Sequence, residues 1–458
     1  MKLKGGYNVN LEGRPSGKVE PLPEPDVLYL PVRSRRFHFS ELFVNEGDIV
    51  HPGQVLARDR RHHLVPLLAP RAGVVRLNTE ENHITLENVI KEKEESHRAD
   101  EESAQIPAGT GTKGATRGKL LALGAWQFFY DAHTGSVPDP FGSPRAVIVS
   151  SISLEPFLAR GDVQIAKRLS SFVRGLSHLQ SLLEYQPIHL VVPHMDSPLA
   201  TRVREAVRGH AWVKLVELPM RHGLEDFSVI ARSLGYKQQD ESPVWALNVA
   251  GVLAVDRTLT MSKPATVRII SIGGPSVKSP CHLKAIPGYP IKKILSDRLS
   301  DGPARIINGG VMKGETMDGW LGLDCECEGL TVVPESADRE FLGFMKLGGD
   351  RQSYSKCFAS SVGAGFAERL TTALRGEQRA CIACNHCEEV CPSGLMPQLI
   401  HKYLYNDELE EAEWAGTDMC SGCGLCSYVC PSKIELRAEI QAAKNRIEHE
   451  LHPEEVSE

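Results

Sequence analysis

Cys381-Ile-Ala-Cys384-Asn-His-Cys387-Glu-Glu-Val-Cys391-Pro392 and Cys420-Ser-Gly-Cys423-Gly-Leu-Cys426-Ser-Tyr-Val-Cys430-Pro431 are two copies of one pattern. Both read C-x2-C-x2-C-x3-C-P, a run that holds 4Fe–4S cubanes in pairs. Three closely spaced thiolates wrap one cube, and the fourth cysteine, beside the proline, reaches across to the other. Cys381, Cys384, Cys387 and Cys430 are therefore expected on the first cluster, and Cys420, Cys423, Cys426 and Cys391 on the second. Each ligand of the second run stands 39 positions after its counterpart, an internal duplication. Zinc also takes sites of four cysteines, but usually as two separated C-x2-C pairs rather than one short run. Iron is the expected metal, and two adjacent cubanes form a path for single electrons.

The residues between the ligands bear on the potential of each cube. Backbone N–H groups pointing at sulfur raise it, and water access changes it. Gly422 and Gly424 would let amides approach the second cube. Ile382, Val390, Leu425, Tyr428 and Val429 would keep water away. Glu388 and Glu389 sit inside the first run, and the second run has no acid. Close to the first cube they would lower its potential and make the two centres unequal; as solvated helix charge they would do little.

The chain has 458 residues, enough for about three or four domains. Apolar residues make up 41% and charged residues 24%, an ordinary globular composition. A net charge of −6 leaves no basic footprint for nucleic acid. No apolar run of about 18 residues suggests a membrane span. The first residues, Met-Lys-Leu-Lys-Gly-Gly-Tyr, form no apolar export signal. Exposed cubane ligands suit a reducing compartment. Cys281, Cys325, Cys327 and Cys357 lie outside the two runs and read as plain thiols.

Residues 1–25 read as an extended lead-in to an N-terminal domain spanning 1–90. From Val27 to Val89 short strands alternate with turns, including Glu46-Gly-Asp-Ile-Val50, Pro52-Gly-Gln-Val-Leu56 and Ala69-Pro-Arg-Ala-Gly-Val-Val75. This pattern resembles a biotinyl/lipoyl-type barrel-sandwich hybrid. Its hairpin tip reads Arg58-Asp-Arg-Arg-His-His63, without the lysine that would carry a swinging cofactor. The module is expected to be a scaffold. His62 and His63 are either a solvated turn or weak metal candidates, and the turn is preferred. Residues 91–118 read as a linker, charged at first and then Gly/Thr-rich. Gly109-Thr-Gly-Thr-Lys-Gly114 lacks the spacing of a phosphate-binding loop.

Residues 119–261 alternate strand and helix. Arg145–Ser150 and His189–Pro193 are apolar strand runs, as is Trp212–Leu218. Asp162 could cap a helix whose apolar positions run from Ile165 to Leu183. This predicts a Rossmann-like α/β domain with a parallel sheet. The chain after Ser150 reads Ser-Ile-Ser-Leu-Glu-Pro-Phe, without the glycines of a dinucleotide fingerprint. Residues 262–350 carry short mixed strands and a helix at Ile294–Leu299, as expected of a β-grasp, SLBB-like module. Residues 351–458 turn helical. Ser361–Phe366 superficially matches a flavin loop but follows no strand. Helices are expected at Leu395–Tyr405, Asp407–Trp414 and Glu435–Leu451. The 28 residues between Cys391 and Cys420 are many for a compact bacterial ferredoxin and point to an α-helical ferredoxin domain. The fold class is thus multidomain α/β and α+β.

In their order along the chain, several stretches resemble the A subunit of the sodium-translocating NADH:quinone reductases (Nqr). They are Leu11-Glu-Gly-Arg-Pro15, the barrel turns, Ser136-Val-Pro-Asp-Pro140 with Pro144-Arg145, and Ile270–Pro275 with Val277-Lys278. Gly343-Phe-Met, Ser353-Tyr-Ser355 and Ser427–Lys433 complete the set. The chain is more distantly similar to the C subunit of the Rnf complex. The usual A subunit has lost the cluster cysteines; here both sets stand, as in the Rnf subunit. The resemblance implies a peripheral electron-transfer subunit on the cytoplasmic face of the inner membrane. Its partners would be the membrane-embedded and flavin subunits of an ion-translocating oxidoreductase. It also raises quinone as a candidate ligand, while FMN is not expected, and no residue is assignable to quinone, FMN or NAD. The alternatives are an Rnf C-type subunit that binds FMN and oxidises NADH, and a ferredoxin-like docking adaptor without catalysis.

Overall fold

The computed structural model describes residues 3–78, 82–90, 112–183, 186–194, 197–240, 242–317, 321–336, 345, 354, 367–373 and 377–451. It is a mixed α/β structure of four sheets with a helical C-terminal region. The lead-in is not a free tail. Its strand β1 (Val19–Pro21) leaves the N-terminal region and pairs in parallel with a strand more than 250 residues later. After it come β2 (Leu28–Pro31), β3 (Glu41–Leu42), β4 (Ile49–Val50), β5 (Val55–Asp59), β6 (Val65–Leu68), β7 (Gly73–Asn78) and β8 (His83–Glu87). They form two antiparallel sheets, β2-β8-β7-β4 and β3-β5-β6. The hairpin tip joins β5 to β6. There Asp59 is fully buried and accepts hydrogen bonds from the backbone of His38 and Arg61 and from His62 Nδ1 at 3.0 Å. His62 is thus part of the turn's own wiring.

Helix α1 (Thr112–Ala122) begins where the linker was expected to continue to residue 118, so the Gly/Thr-rich stretch supplies its first turns. Residues 91–111 lie outside the described set. The next layer contains β9 (Tyr130–Asp131), β10 (Ala146–Ser150), α2 (Gly161–Ile165), α3 (Leu169–Leu182) and β11 (Ile188–Pro193). It continues with α4 (Pro198–Val207), β12 (Val213–Leu218), α5 (Phe227–Ser233), β13 (Val244–Asn248) and α6 (Val249–Met261). The sheet order is β12-β11-β10-β13-β9, parallel except for β9. All five residues of β10 are buried, as befits a central parallel strand covered on both faces. The single helix expected after Asp162 is two, α2 and α3. Asp162 caps neither; it lies inside α2 and pairs with Arg160.

The third layer comprises β14 (Arg268–Gly273), β15 (Cys281–Ala285), α7 (Ile291–Leu295), β16 (Ala304–Asn308), β17 (Glu315–Thr316) and β18 (Gly329–Pro334). With β1 they form a six-stranded sheet, β1-β15-β14-β18-β16-β17. Helix α7 starts three residues earlier than expected, directly after Pro290. One continuous apolar core runs from Leu28 to Val332 and joins the small sheets, one face of the α/β sheet and this six-stranded sheet. Cys281, Cys325 and Cys327 are buried thiols within it. Cys357, Gly343 and Ser361–Phe366 lie outside the described residues.

The helical region holds α8 (His386–Glu389), α9 (Pro397–Tyr405), α10 (Leu409–Trp414), α11 (Leu425–Tyr428) and α12 (Leu436–Glu450). The lead-in straps it to the rest. Gly6 N–H donates to the Val390 carbonyl at 2.9 Å, Tyr7 pairs with His222, and Glu12 N–H donates to the Glu368 carbonyl. Val9 and Leu11 share a small core with Val390, Leu425 and Val429. Farther along the strap, Gly13 holds φ +89°, and a Cβ there would meet the Gly274 carbonyl carbon at 2.4 Å. Gly13→Ala should therefore destabilise the protein by about 2–3 kcal/mol through the left-handed backbone and the clash with Gly274 together. Chemical denaturation checks this, and an unchanged midpoint would contradict the strap's close fit.

Candidate metal centre

The duplication in sequence is a duplication in backbone. Ala383 (φ 52°), Asn385 (φ 62°) and Gly394 (φ 70°) are left-handed in the first copy. Their counterparts 39 positions on, Gly422 (φ 67°), Gly424 (φ 80°) and Lys433 (φ 58°), are left-handed too. The short helices α8 and α11, and the starts of α9 and α12, obey the same offset. Each run thus turns through a left-handed residue before its second cysteine and again after it, and then enters one helical turn. In the second run these reversals bring all three cysteines onto the wall of one cavity. The pattern persists where the residue is Ala, Asn or Lys, which pay for the conformation that glycine adopts freely.

Cys391, Cys420, Cys423 and Cys426 line one small cavity, together with Leu395, Arg437 and Ile440. Three of these thiols belong to the second run and one to the first. Leu395 N–H points at Cys391 Sγ (3.3 Å) and Gly422 N–H at Cys420 Sγ (3.4 Å). Gln441 Nε2 also faces Cys420 Sγ, at 3.7 Å. Of the other four cysteines only Cys381 is exposed. Cys387 is buried and shares an apolar cluster with Cys430, Cys426, Ile434 and Leu436. Cys384 lies close enough to act electrostatically on Cys387, and Cys381 stands exposed. Gln398 accepts from Cys387 Sγ (3.2 Å) and donates to Glu388 (2.9 Å).

Among the described residues, no three His, Cys, Asp or Glu side chains converge on a point as a single metal ion requires. Four sulfurs each about 2.3 Å from one zinc would lie within about 4 Å of one another. Four thiols on one cavity wall, three from one run and one from the other, are the donor set a cubane takes. Burial pushes the Cys387 thiol up to about 11 and that of Cys426 up to about 12. These groups give up their protons to a metal rather than to water at neutral pH.

The α/β layer touches this centre through residues that no motif marks. His222, almost fully buried, donates from Nε2 to the Cys423 carbonyl (2.8 Å) and from Nδ1 to Glu225 (2.9 Å). Both ring nitrogens face acceptors, so the ring is an imidazolium. Burial alone would lower its pKa, but the hydrogen bond and charge of Glu225, with the charge of Glu155, raise it to about 9. Glu155, pushed upward by burial, accepts from the backbone N–H groups of Met312 and Lys313. Lys313 pairs with Asp226.

Two larger cavities open at the carboxyl ends of the parallel strands. One, of about 800 Å³, lies beyond β10 and β11 and is bordered by Arg14, Arg160, Arg202 and His222. The other, of about 470 Å³, lies between β10 and β13, where the strand order reverses and such sheets bind ligands. Its wall carries Glu155, Glu225, Asp226, Asp324, Glu326 and Glu328. Burial, and then Glu326, push Asp324 up to about 6, while Arg36 holds Glu326 at 2.5 Å. Arg35, Arg36 and Lys313 share that wall, and the loop after Ser150 offers no glycine to bring backbone close to a pyrophosphate.

Known proteins divide along the same lines. Residues 380–434 match a family described as a 4Fe-4S dicluster domain. Residues 112–211 match the NqrA second alpha/beta domain, and 269–319 the NQRA C-terminal domain. The cysteine site and the first of these matches thus agree on an iron–sulfur domain. The chain is similar to the A subunit of the Na+-translocating NADH-quinone reductase of Pseudomonas aeruginosa. The two are 28% identical over 469 aligned positions, covering 98% of this chain and all of that one. The corresponding protein of Glaesserella parasuis is 27% identical, over 89% of this chain and 90% of its own length. Among solved structures, an NAD+-reducing NiFe hydrogenase in the air-oxidised state aligns over 72% of this chain and 63% of its own. Its TM-score is 0.40 at 11% identity.

His222 makes stability depend on pH. Its folded pKa of about 9 lies above the unfolded value near 6.5, so its contribution is complete below about pH 6.5. That contribution, on the order of 3 kcal/mol, fades as pH rises to about 9. Thermal unfolding across this window should show the loss, and His222→Gln should flatten it. Parallel pH profiles for the two proteins would count against the imidazolium.

Proposed function

We propose that the chain is a peripheral iron–sulfur subunit of an Nqr-type, ion-translocating NADH:quinone oxidoreductase, at the cytoplasmic face of the inner membrane. It holds two 4Fe–4S cubanes. Cys381, Cys384, Cys387 and Cys430 ligate the first; Cys420, Cys423, Cys426 and Cys391 ligate the second. The observation that carries the reading is the mixed set of thiols around one cavity, Cys391 from the first run with three cysteines of the second. Crossed ligation of this kind is what the C-x2-C-x2-C-x3-C-P pair calls for. Bound there, the cubanes supply one-electron transfer.

The chain's own residues do the rest. Leu395 and Gly422 direct N–H groups at sulfur, and Ile440 and Leu395 close the cavity to water. His222 fixes the Cys423 carbonyl and so the backbone that presents its thiolate. Among the described residues no helix is long and apolar enough to cross a membrane, so ion movement is assigned to membrane-embedded partners. A flavin subunit is the proposed electron-exchange partner. The reading places neither FMN nor NADH on this chain, because the strand–loop turn after Ser150 lacks the glycines of a dinucleotide fingerprint. Quinone stays with the assembled complex.

Anaerobically purified protein should contain about eight irons per chain, four for each cubane. Exchanging Cys420 and Cys423 together for Ser should remove about half and abolish quinone reduction by the complex. Stoichiometric zinc, or iron unaffected by the exchange, would refute the assignment.

A further inference from the structure

The two centres sit in different electrostatic surroundings. On the second, Lys444 Nζ donates to the Cys420 carbonyl at 3.2 Å. Arg437, on the cavity wall, donates from Nε to the Gly422 carbonyl (3.0 Å) and from Nη2 to the Lys313 carbonyl (3.1 Å). Arg232 reaches across from α5 to Ser393 Oγ (2.7 Å), two residues after Cys391, and Ser393 in turn bonds the Met419 carbonyl beside Cys420. All three cations are half-buried. Among the described residues, the hydrogen bonds of Arg437 and Lys444 go to backbone carbonyls, so no carboxylate cancels their charge. Two nearby cations are already balanced, Lys313 by Asp226 and His222 by Glu225, with Glu155, whose neutral form burial favours, beside both. Asp418 opposes Arg232 in part.

Near the first centre stand Glu388 and Glu389, both exposed, and Arg379 and Lys433. Arg379 is exposed and touches the Pro431 carbonyl at 3.5 Å. These four charges nearly cancel, and all but the half-buried Lys433 stand in water, where each counts for little.

We propose that Arg232, Arg437 and Lys444 make the cubane held by Cys391, Cys420, Cys423 and Cys426 the higher-potential centre, so that a single added electron rests on the side facing the α/β layer. The inference depends on the two-cubane reading above. Reduction adds negative charge to a cubane. Burial opposes that at the second centre, since less water answers the charge. The three cations and the three N–H groups aimed at its sulfurs act the other way, at low effective dielectric where each charge counts for several times its value in water. The α/β layer thereby acts on the cluster through Arg232, as a potential-setting residue that touches no ligand directly.

The test is an EPR-monitored titration of the whole iron-loaded protein, with dithionite supplying electrons. Two midpoints are expected. Cys420→Ser should remove the signal with the higher one. Lys444→Met and Arg232→Gln should each lower the higher midpoint and leave the lower one in place, and Lys444→Arg should restore it. Loss of the lower-potential signal in Cys420→Ser overturns the proposal, as does a charge removal that moves the lower midpoint or neither. Full iron with two equal midpoints overturns the proposal alone; protein that takes up no iron overturns the two-cubane reading and the proposal together.

Discussion

Holding four sulfurs around a body larger than an ion requires a chain that reverses within three residues, and then reverses again. Both cysteine runs do this with left-handed residues at matching positions. At Gly422 and Gly424 the conformation is nearly free. At Ala383, Asn385 and Lys433 it costs about 1–3 kcal/mol each. A module of short helices cannot absorb that strain from its own small core, and the rest of the chain supplies the support. The strap brings Gly5 so close to Cys391 that a Cβ would lie 2.3 Å from its carbonyl oxygen. His222 grips the Cys423 carbonyl, and Arg437 ties the start of α12 to Gly422 and Lys313.

The α/β layer makes sense in that light. It has the sheet order of a nucleotide binder, with a crevice at the point where the order reverses. The crevice is lined with carboxylates and bordered by a loop without glycine. What the layer contributes instead is directed sideways, through His222 and Arg232, toward the cysteine module. The buried pair of Lys313 with Asp226 ties the six-stranded layer to the α/β layer, and that of Arg36 with Glu326 ties it to the N-terminal sheets.

Much of this was legible from residues alone. The cysteine spacing marks the region that matches a 4Fe-4S dicluster domain, and uninterrupted apolar runs such as Ala146–Ser150 mark strands buried on both faces. The losses have physical causes. Helix α1 hides in a stretch rich in Gly and Thr, poor helix formers that tertiary packing overrides here. The break between α2 and α3 falls inside a periodic apolar pattern that gives no stop signal. β1 pairs with β15 far along the chain, and long-range pairing leaves no local trace in a polar lead-in. His222, Arg232 and Lys444 belong to no spacing pattern, because they act on backbone carbonyls and a serine hydroxyl across boundaries that only the fold creates. Of the two cysteine sets, the structure gathers the second around one cavity, while Cys381 of the first stands open to solvent.

Mössbauer spectroscopy of protein grown on iron-57 and isolated without oxygen measures the central claim most directly. The account predicts that nearly all bound iron appears as 4Fe–4S cubanes, at two per chain, and that Cys391→Ser perturbs the same cubane as Cys420→Ser. Iron present as isolated ions, or a Cys391 exchange that instead perturbs the cubane of Cys381, Cys384 and Cys387, would contradict it.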